Sequence, residues 1–137
     1  MAKSVKDAMT KDPCTIEADR PVAYAARMMK QEDVGLAPIV EGDRLVGTLT
    51  DRDITLRVVA EGRDPQSTPV REVATKKLVT VDPSQDLDEA LRLMAQHQVR
   101  RLPVVEGDRL VGVLAQADVA KEADERKTGE VVEHISR

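Results

Sequence analysis

At 137 residues the chain has the length of one ordinary domain, enough to bury a core without disulfides or metal. Apolar residues make up 41% and charged residues 34%, and the net charge of -4 argues against nucleic acid or an anionic membrane as partner. A lone tyrosine, a lone cysteine and two histidines leave little for base stacking, disulfides or a metal site.

Taken in chain order, Thr15-Ile16 is a short extended candidate behind Pro13. Val22, Ala25, Ala26 and Met29 then recur at helical spacing, with Pro21 in the first turn. Ala37 to Val40 and Arg44 to Leu49 read as paired strands around Gly42-Asp43, where a leading glycine suits a type II′ turn. A second helix is expected over Thr50 to Ala60, followed by the polar stretch EGRDPQSTP from Glu61 to Pro69.

The same order then recurs. Val79-Thr80-Val81 is extended, and Leu87, Ala90, Leu91 and Met94 form one helical stripe whose start is marked by Asp86 and Glu89. Leu102 to Val105 and Arg109 to Leu114 flank Gly107-Asp108, and a shorter helix runs from Ala115 to about Ala123. A last short helix is expected over Glu130 to Ile135. Each unit reads β-α-β-β-α, with a right-handed crossover in its β-α-β part.

The recurrence is literal. Val40 to Gly47 and Val105 to Gly112 both spell VEGDRLVG, and in that register 19 of the 46 positions from Met9 to Ile54 match those from Ala74 to Val119. Unrelated stretches of ordinary composition share about 3. The chain is a tandem duplication of one α/β unit. We place repeat one at 1–60, a linker at 61–69, repeat two at 70–123 and a tail with a short helix at 124–137.

This order, with the hairpin followed by GTLTDRD and the run Val99-Arg100-Arg101-Leu102-Pro103-Val104, resembles a tandem pair of cystathionine-β-synthase (CBS) domains over about Lys3 to Ala123. The resemblance implies two repeats packed through their sheets with pseudo-twofold symmetry, two clefts between them, and pairing into homodimers. It also implies that the clefts take adenosine-type ligands. Carried over position by position, Asp53 bonds the ribose hydroxyls and Thr50 contacts a phosphate. Leu78 and Val79 hold the adenine by backbone bonds and aliphatic contact, Arg100 and Arg101 face the phosphates, and Pro103 belongs to the same nucleotide-binding set. The chemistry suits those types: a carboxylate accepts two hydroxyl hydrogens, and guanidinium groups clasp phosphate with fork-like bonds.

The second cleft departs from the pattern. Its positions are Cys14, Leu36, Pro38 and Asp118; Ala115 replaces the threonine, and Gly35-Leu36 replace the arginine pair. It is expected to be weak for nucleotides, suited to a nucleoside, or empty. Simpler roles stand beside these. Thr50-x-x-Asp53 is also a helix capping motif, Cys14 a small apolar residue, His97 a partner for a helix C-terminus and His134 a surface residue.

The reading is a non-enzymatic sensor or regulatory module that binds an adenine nucleotide (AMP, ADP or ATP, with S-adenosylmethionine or NAD as variants). No tightly held cofactor or metal is expected. The partners would be a second copy of the chain and an unidentified effector protein. No stretch approaches the roughly 18 apolar residues of a membrane span, and the expected location is cytoplasmic. The alternative is a ligand-independent protein-interaction module with vestigial clefts.

Overall fold

Glycine and proline punctuate the chain into short elements, which a computed structural model describes over residues 3–122. In chain order these are α1 (Val5–Ala8), β1 (Thr10–Lys11), β2 (Ile16–Glu17), α2 (Val22–Glu32), β3 (Leu36–Glu41), β4 (Arg44–Thr50) and α3 (Asp51–Ile54). A π-helical stretch (Thr55–Val59), a 3₁₀ turn (Val70–Glu72), α4 (Leu87–His97), β5 (Arg101–Glu106) and β6 (Arg109–Ala115) follow. Residues 116–122 are helical. The helix expected over residues 130–135, together with His134, lies outside the described residues.

Packing does not follow chain continuity. One unit takes residues 12–78 and 105–110; the other takes, of the described residues, 3–11, 79–104 and 111–122.

In the unit of residues 12–78, β2 runs parallel to β3 (Ile16 opposite Ile39) and β3 runs antiparallel to β4 (Leu36 opposite Thr50). The stripe expected on α2 is buried at Val22, Ala25 and Met29, whereas Ala26 is exposed. Those three pack with Ile16, Ile39, Leu49, Val58 and Val70 into an aliphatic core. The N-cap of α2 is Pro21, which offers no side-chain acceptor. Its free donors are met by the polar stretch instead: Val22 N–H donates to the Thr68 carbonyl and Ala23 N–H to the Pro65 carbonyl, both at 2.9 Å.

Two details differ from expectation here. The first strand is Ile16–Glu17 rather than Thr15-Ile16, because Ile16 is the residue that meets Ile39. The helix over Thr50 to Ala60 is not uniformly α. After Ile54 the ladder widens, with Ala60 N–H donating to the Thr55 carbonyl and Arg63 N–H to the Val58 carbonyl, both at 2.9 Å. Ile54, Thr55, Val58 and Val59 are β-branched and crowd an α-helical turn. The wider turn leaves Val58 buried while its neighbour Val59 is 69% exposed.

In the other unit, β1 pairs antiparallel with β6 (Thr10 opposite Val113) and β5 pairs with β6. Leu87, Ala90 and Met94 of α4 are buried with Val5, Leu102, Val104, Leu114 and Val119, while Leu91 is half-buried. Neither α1 nor β1 was foreshadowed by periodicity. The strand expected at Val79-Thr80-Val81 reduces to a single parallel bridge between Val81 and Val104. The chain turns directly afterwards, where the Asp82 carboxylate accepts from the backbone N–H and the hydroxyl of Ser84 at 2.8 and 2.6 Å. Asp86 caps α4 by position but without a side-chain bond; Leu87 N–H donates to the Lys3 carbonyl at 3.0 Å.

The repeated hairpins do two jobs. Gly42 and Gly107 have φ of +66° and +65°, and the following aspartates do not share the positive φ, which is the II′ pattern. Within the unit of residues 12–78 and 105–110 the two turns also meet. Leu45 N–H donates to the Asp108 carbonyl at 2.9 Å, and its equivalent Leu110 donates to the Asp43 carbonyl at 3.0 Å.

Candidate functional site

The junction between β4 and α3 is where an extended strand turns into a helix, and the first helical N–H groups need partners there. Thr50 and Asp53 supply them reciprocally. Thr50 Oγ1 accepts from Asp53 N–H at 3.0 Å, and the Asp53 carboxylate accepts from Thr50 N–H at 2.9 Å. This is a complete capping box. Asp53 is the only charged residue among the buried ones described, at 9% exposure.

Two residues not singled out from the sequence complete this cluster. The Thr75 hydroxyl lies 3.4 Å from both carboxylate oxygens of Asp53. Arg57 lies one helical turn beyond Asp53, with Nη1 at 3.5 Å from Asp53 Oδ1. The same Nη1 donates to the Val73 carbonyl at 2.8 Å and to Thr75 Oγ1 at 3.2 Å. The i, i+4 spacing of Asp53 and Arg57 was visible in the sequence. The meeting with Thr75 was not, because it depends on the antiparallel bridge between Thr48 and Thr75, whose N–H and carbonyl groups bond reciprocally at 2.8 and 3.0 Å.

The other expected site residues divide between the units. Leu78 belongs with Thr50 and Asp53 and is half-buried. Val79, Arg100, Arg101 and Pro103 belong to the other unit. There Pro103 is buried in β5 and its carbonyl accepts from Val81 N–H at 3.1 Å. Val79 and Arg101 are half-buried and Arg100 is exposed. Among the described residues neither arginine has an acidic partner within salt-bridge distance, and the Arg100 carbonyl accepts from Gln116 N–H at 2.7 Å.

The positions assigned to the weaker cleft divide as well. Cys14, Leu36 and Pro38 lie in the unit of residues 12–78, with Cys14 exposed, Leu36 half-buried and Pro38 buried. Partial desolvation and the adjoining Glu32 carboxylate push the Cys14 thiol above its ordinary value. Asp118 is half-buried in the other unit, on the helical residues 116–122, with Ala115 before them instead of a hydroxyl cap.

A cavity of about 330 Å³ between α2 and α3 is lined by Met29, Lys30, Val34, Asp51, Ile54 and Thr55 among others. It includes neither Thr50 nor Asp53. No helix among the described residues is long and apolar enough to cross a membrane.

Two copies of one α/β pattern, with a capped and buried carboxylate at the strand–helix junction of the first, define a tandem-repeat module. The chain belongs to the CBS domain family, whose model matches residues 5–60 and 70–125. It is a CBS-domain pair, a regulatory module. It is 46% identical over 134 residues to the CBS domain-containing protein YhcV of Bacillus subtilis, covering 97% of this chain and 95% of that protein. The crystal structure of Hypoxic Response Protein I with two coordinated zinc ions is 37% identical with a TM-score of 0.81, covering 87% of this chain and 98% of the other. The CBS domain pair of MJ0100, in complex with 5′-methylthioadenosine and S-adenosyl-L-methionine, has the same fold: TM-score 0.81 at 23% identity, over 92% and 99% of the two chains. Among the described residues of this chain, no group of three or more His, Cys, Asp or Glu side chains could hold a metal ion.

Proposed function

We propose that this CBS pair is a non-catalytic sensor that binds an adenine nucleotide with residues from both repeats. Asp53 receives the ribose hydroxyls and Thr50 stands toward a phosphate. Leu78, Val79 and Pro103 form the aliphatic surround of the base, and Arg100 and Arg101 neutralise phosphate. The single observation carrying this reading is the buried Asp53 carboxylate, fixed by Thr50 at 2.9 Å at a helix start. That the fold takes adenosine-type ligands in MJ0100 supports the ligand class. The second cleft, with Ala115 for Thr50 and Gly35-Leu36 for the arginines, is the weaker one.

Ligand bound to both repeats stabilises the folded state by mass action and biases its conformation for an effector to read. Exposed Leu56 and Val59 on the π-helical stretch, at 48% and 69%, are suited to cover by a second copy of the chain. Light scattering on the purified protein tests that homodimer directly. The cytoplasm is the compartment this reading assumes.

Thermal melts with AMP, ADP, ATP, NAD and S-adenosylmethionine test the sensor. At millimolar concentration at least one raises the transition; if none does, the sensor reading is wrong. The second reading is an interaction module that needs no ligand. It is favoured by the degree to which Thr50, Thr75 and Arg57 already occupy Asp53. An unchanged melt with every nucleotide, together with a stoichiometric protein partner, decides for it.

A further inference from the structure

Asp53 is more than one half of a cap. A carboxylate offers about four acceptor positions, two on each oxygen. Thr50 N–H fills one on Oδ2 at 2.9 Å. Arg57 stands beside Oδ1 at 3.5 Å, and it is not a loose surface cation: the same Nη1 is tied to the Val73 carbonyl at 2.8 Å. The carboxylate is therefore held at Oδ2 by a hydrogen bond from the strand end. At Oδ1 it is faced by a guanidinium one helical turn on, as an ion pair whose Nη1 hydrogens go to Val73 and Thr75. At least one acceptor position is left on each oxygen, the pair that a vicinal diol requires. The Thr75 hydroxyl sits across that fork, at 3.4 Å from both oxygens. This is well beyond the usual O–H···O distance of about 2.7–2.8 Å, so it is a weak occupant that a ligand hydroxyl can replace.

The other repeat lacks the arrangement. In the duplication register Arg57 corresponds to Glu122. Glu122 carries the wrong charge to grip Asp118 and is paired instead with Lys3 at 3.4 Å.

We propose that Arg57 is a positioning residue for ribose recognition: anchored on Val73, it holds the Asp53 carboxylate in the orientation that accepts a ribose diol, and its replacement by Glu122 contributes to the weakness of the second repeat. The inference rests on the nucleotide-binding reading of Asp53. It adds a determinant outside the Gly47, Thr50 and Asp53 motif.

Calorimetry with AMP and with 2′,3′-dideoxyadenosine monophosphate, on the full chain and its variants, tests it. The wild-type chain should bind AMP more tightly than the dideoxy analogue. Arg57→Gln should weaken AMP about fivefold, the upper scale of one partly exposed ion pair, while leaving the analogue's affinity unchanged. Arg57→Lys, which keeps the cation, should retain discrimination to within about threefold. This second variant decides the matter if Arg57→Gln does not fold: discrimination retained to that degree supports the role, and its loss overturns it. Equal loss for both ligands in Arg57→Gln, or an unchanged ratio, overturns the positioning role and leaves the nucleotide reading intact. A wild-type chain that binds neither ligand overturns the nucleotide reading, and this inference with it.

Discussion

A Cβ placed on Gly47 would stand 3.0 Å from the carbonyl oxygen of Thr75. It would also meet Ala74 Cβ at 3.2 Å, because residues 74–75 cross β4 at that point. The equivalent Gly112 is crossed by Met9 and Thr10, where a Cβ would lie 2.7 Å from the Met9 sulfur and 2.8 Å from the Thr10 carbonyl oxygen. The last glycine of VEGDRLVG thus lets a remote segment lie flat on the hairpin. Gly47→Ala and Gly112→Ala should each destabilise the protein by about 1–3 kcal/mol, the usual cost of overpacking. Gly112→Ala should be the worse: the Met9 side chain can swing aside, but the Thr10 carbonyl at 2.8 Å is backbone and cannot. Urea melts of the two variants give the order; two neutral substitutions would contradict the close crossing.

Thr50→Ala removes the hydroxyl of the capping box and should cost about 1 kcal/mol. Asp53→Ala should cost more, because Thr50 N–H and the Thr75 hydroxyl lose their acceptor and Arg57 its counter-ion together. Chemical denaturation with unchanged m-values reads both directly. Equal losses would show that Thr75 and Arg57 contribute nothing through Asp53.

The same substitution bears on the ligand. Asp53→Ala should weaken nucleotide binding by about 1–3 kcal/mol, the scale of a lost charged hydrogen bond, whereas Asp118→Ala should change it much less. Titration at a temperature where both variants are folded separates binding from stability. The reverse order would move the working site to the second repeat.

Helix α4 ends on Gln98 at φ +54°, and α2 ends on Asp33 at the same angle. Aspartate tolerates the left-handed region better than glutamine does, and glycine enters it without steric cost. Gln98→Gly should therefore stabilise the protein by roughly 0.5–1 kcal/mol, which raises the melting temperature by a few degrees. Asp33→Gly should gain less. A lower melting temperature for Gln98→Gly would mean that its side chain has a role beyond the cap.

The Cys14 thiol is raised above its ordinary value of 9.0, first by partial desolvation and then by the neighbouring Glu32 carboxylate. A raised value keeps the thiolate scarce at neutral pH, so alkylation by iodoacetamide should be slow at pH 8 and quicken as pH climbs past about 9. Glu32→Gln removes the negative charge and should speed the reaction at pH 8, though not to the rate of a free thiol, since desolvation remains. An unchanged rate would show that Glu32 does not reach the sulfur in solution.

Much of this molecule was legible without coordinates. The identity of VEGDRLVG with itself, and the spacing of Leu87, Ala90 and Met94, announced a duplicated α/β unit, because helical and strand periodicities are local properties of the chain. The reciprocal bonds of Thr50 and Asp53 were legible for the same reason: a capping box spans only three residues. The π-helical turn after Ile54 was not, since β-branched crowding competes with packing that no local pattern records.

What sequence alone determined, then, was the repeat, the hairpins and the one-sided placement of Thr50, Arg100 and Arg101, all of them matters of residue type and spacing. What only the tertiary structure decided was who lies across whom. Residues 3–11 pack with the second repeat, and residues 70–78 pack with the first, so Val5 joins the core of Leu87 and Met94 while Val70 joins that of Ile16. That exchange brings Thr75 against Thr48 and Asp53, and gives Arg57 the Val73 carbonyl to hold. The reason is physical: backbone bridges between segments more than twenty residues apart depend on where buried surfaces close, and no short-range pattern in the chain encodes that closure.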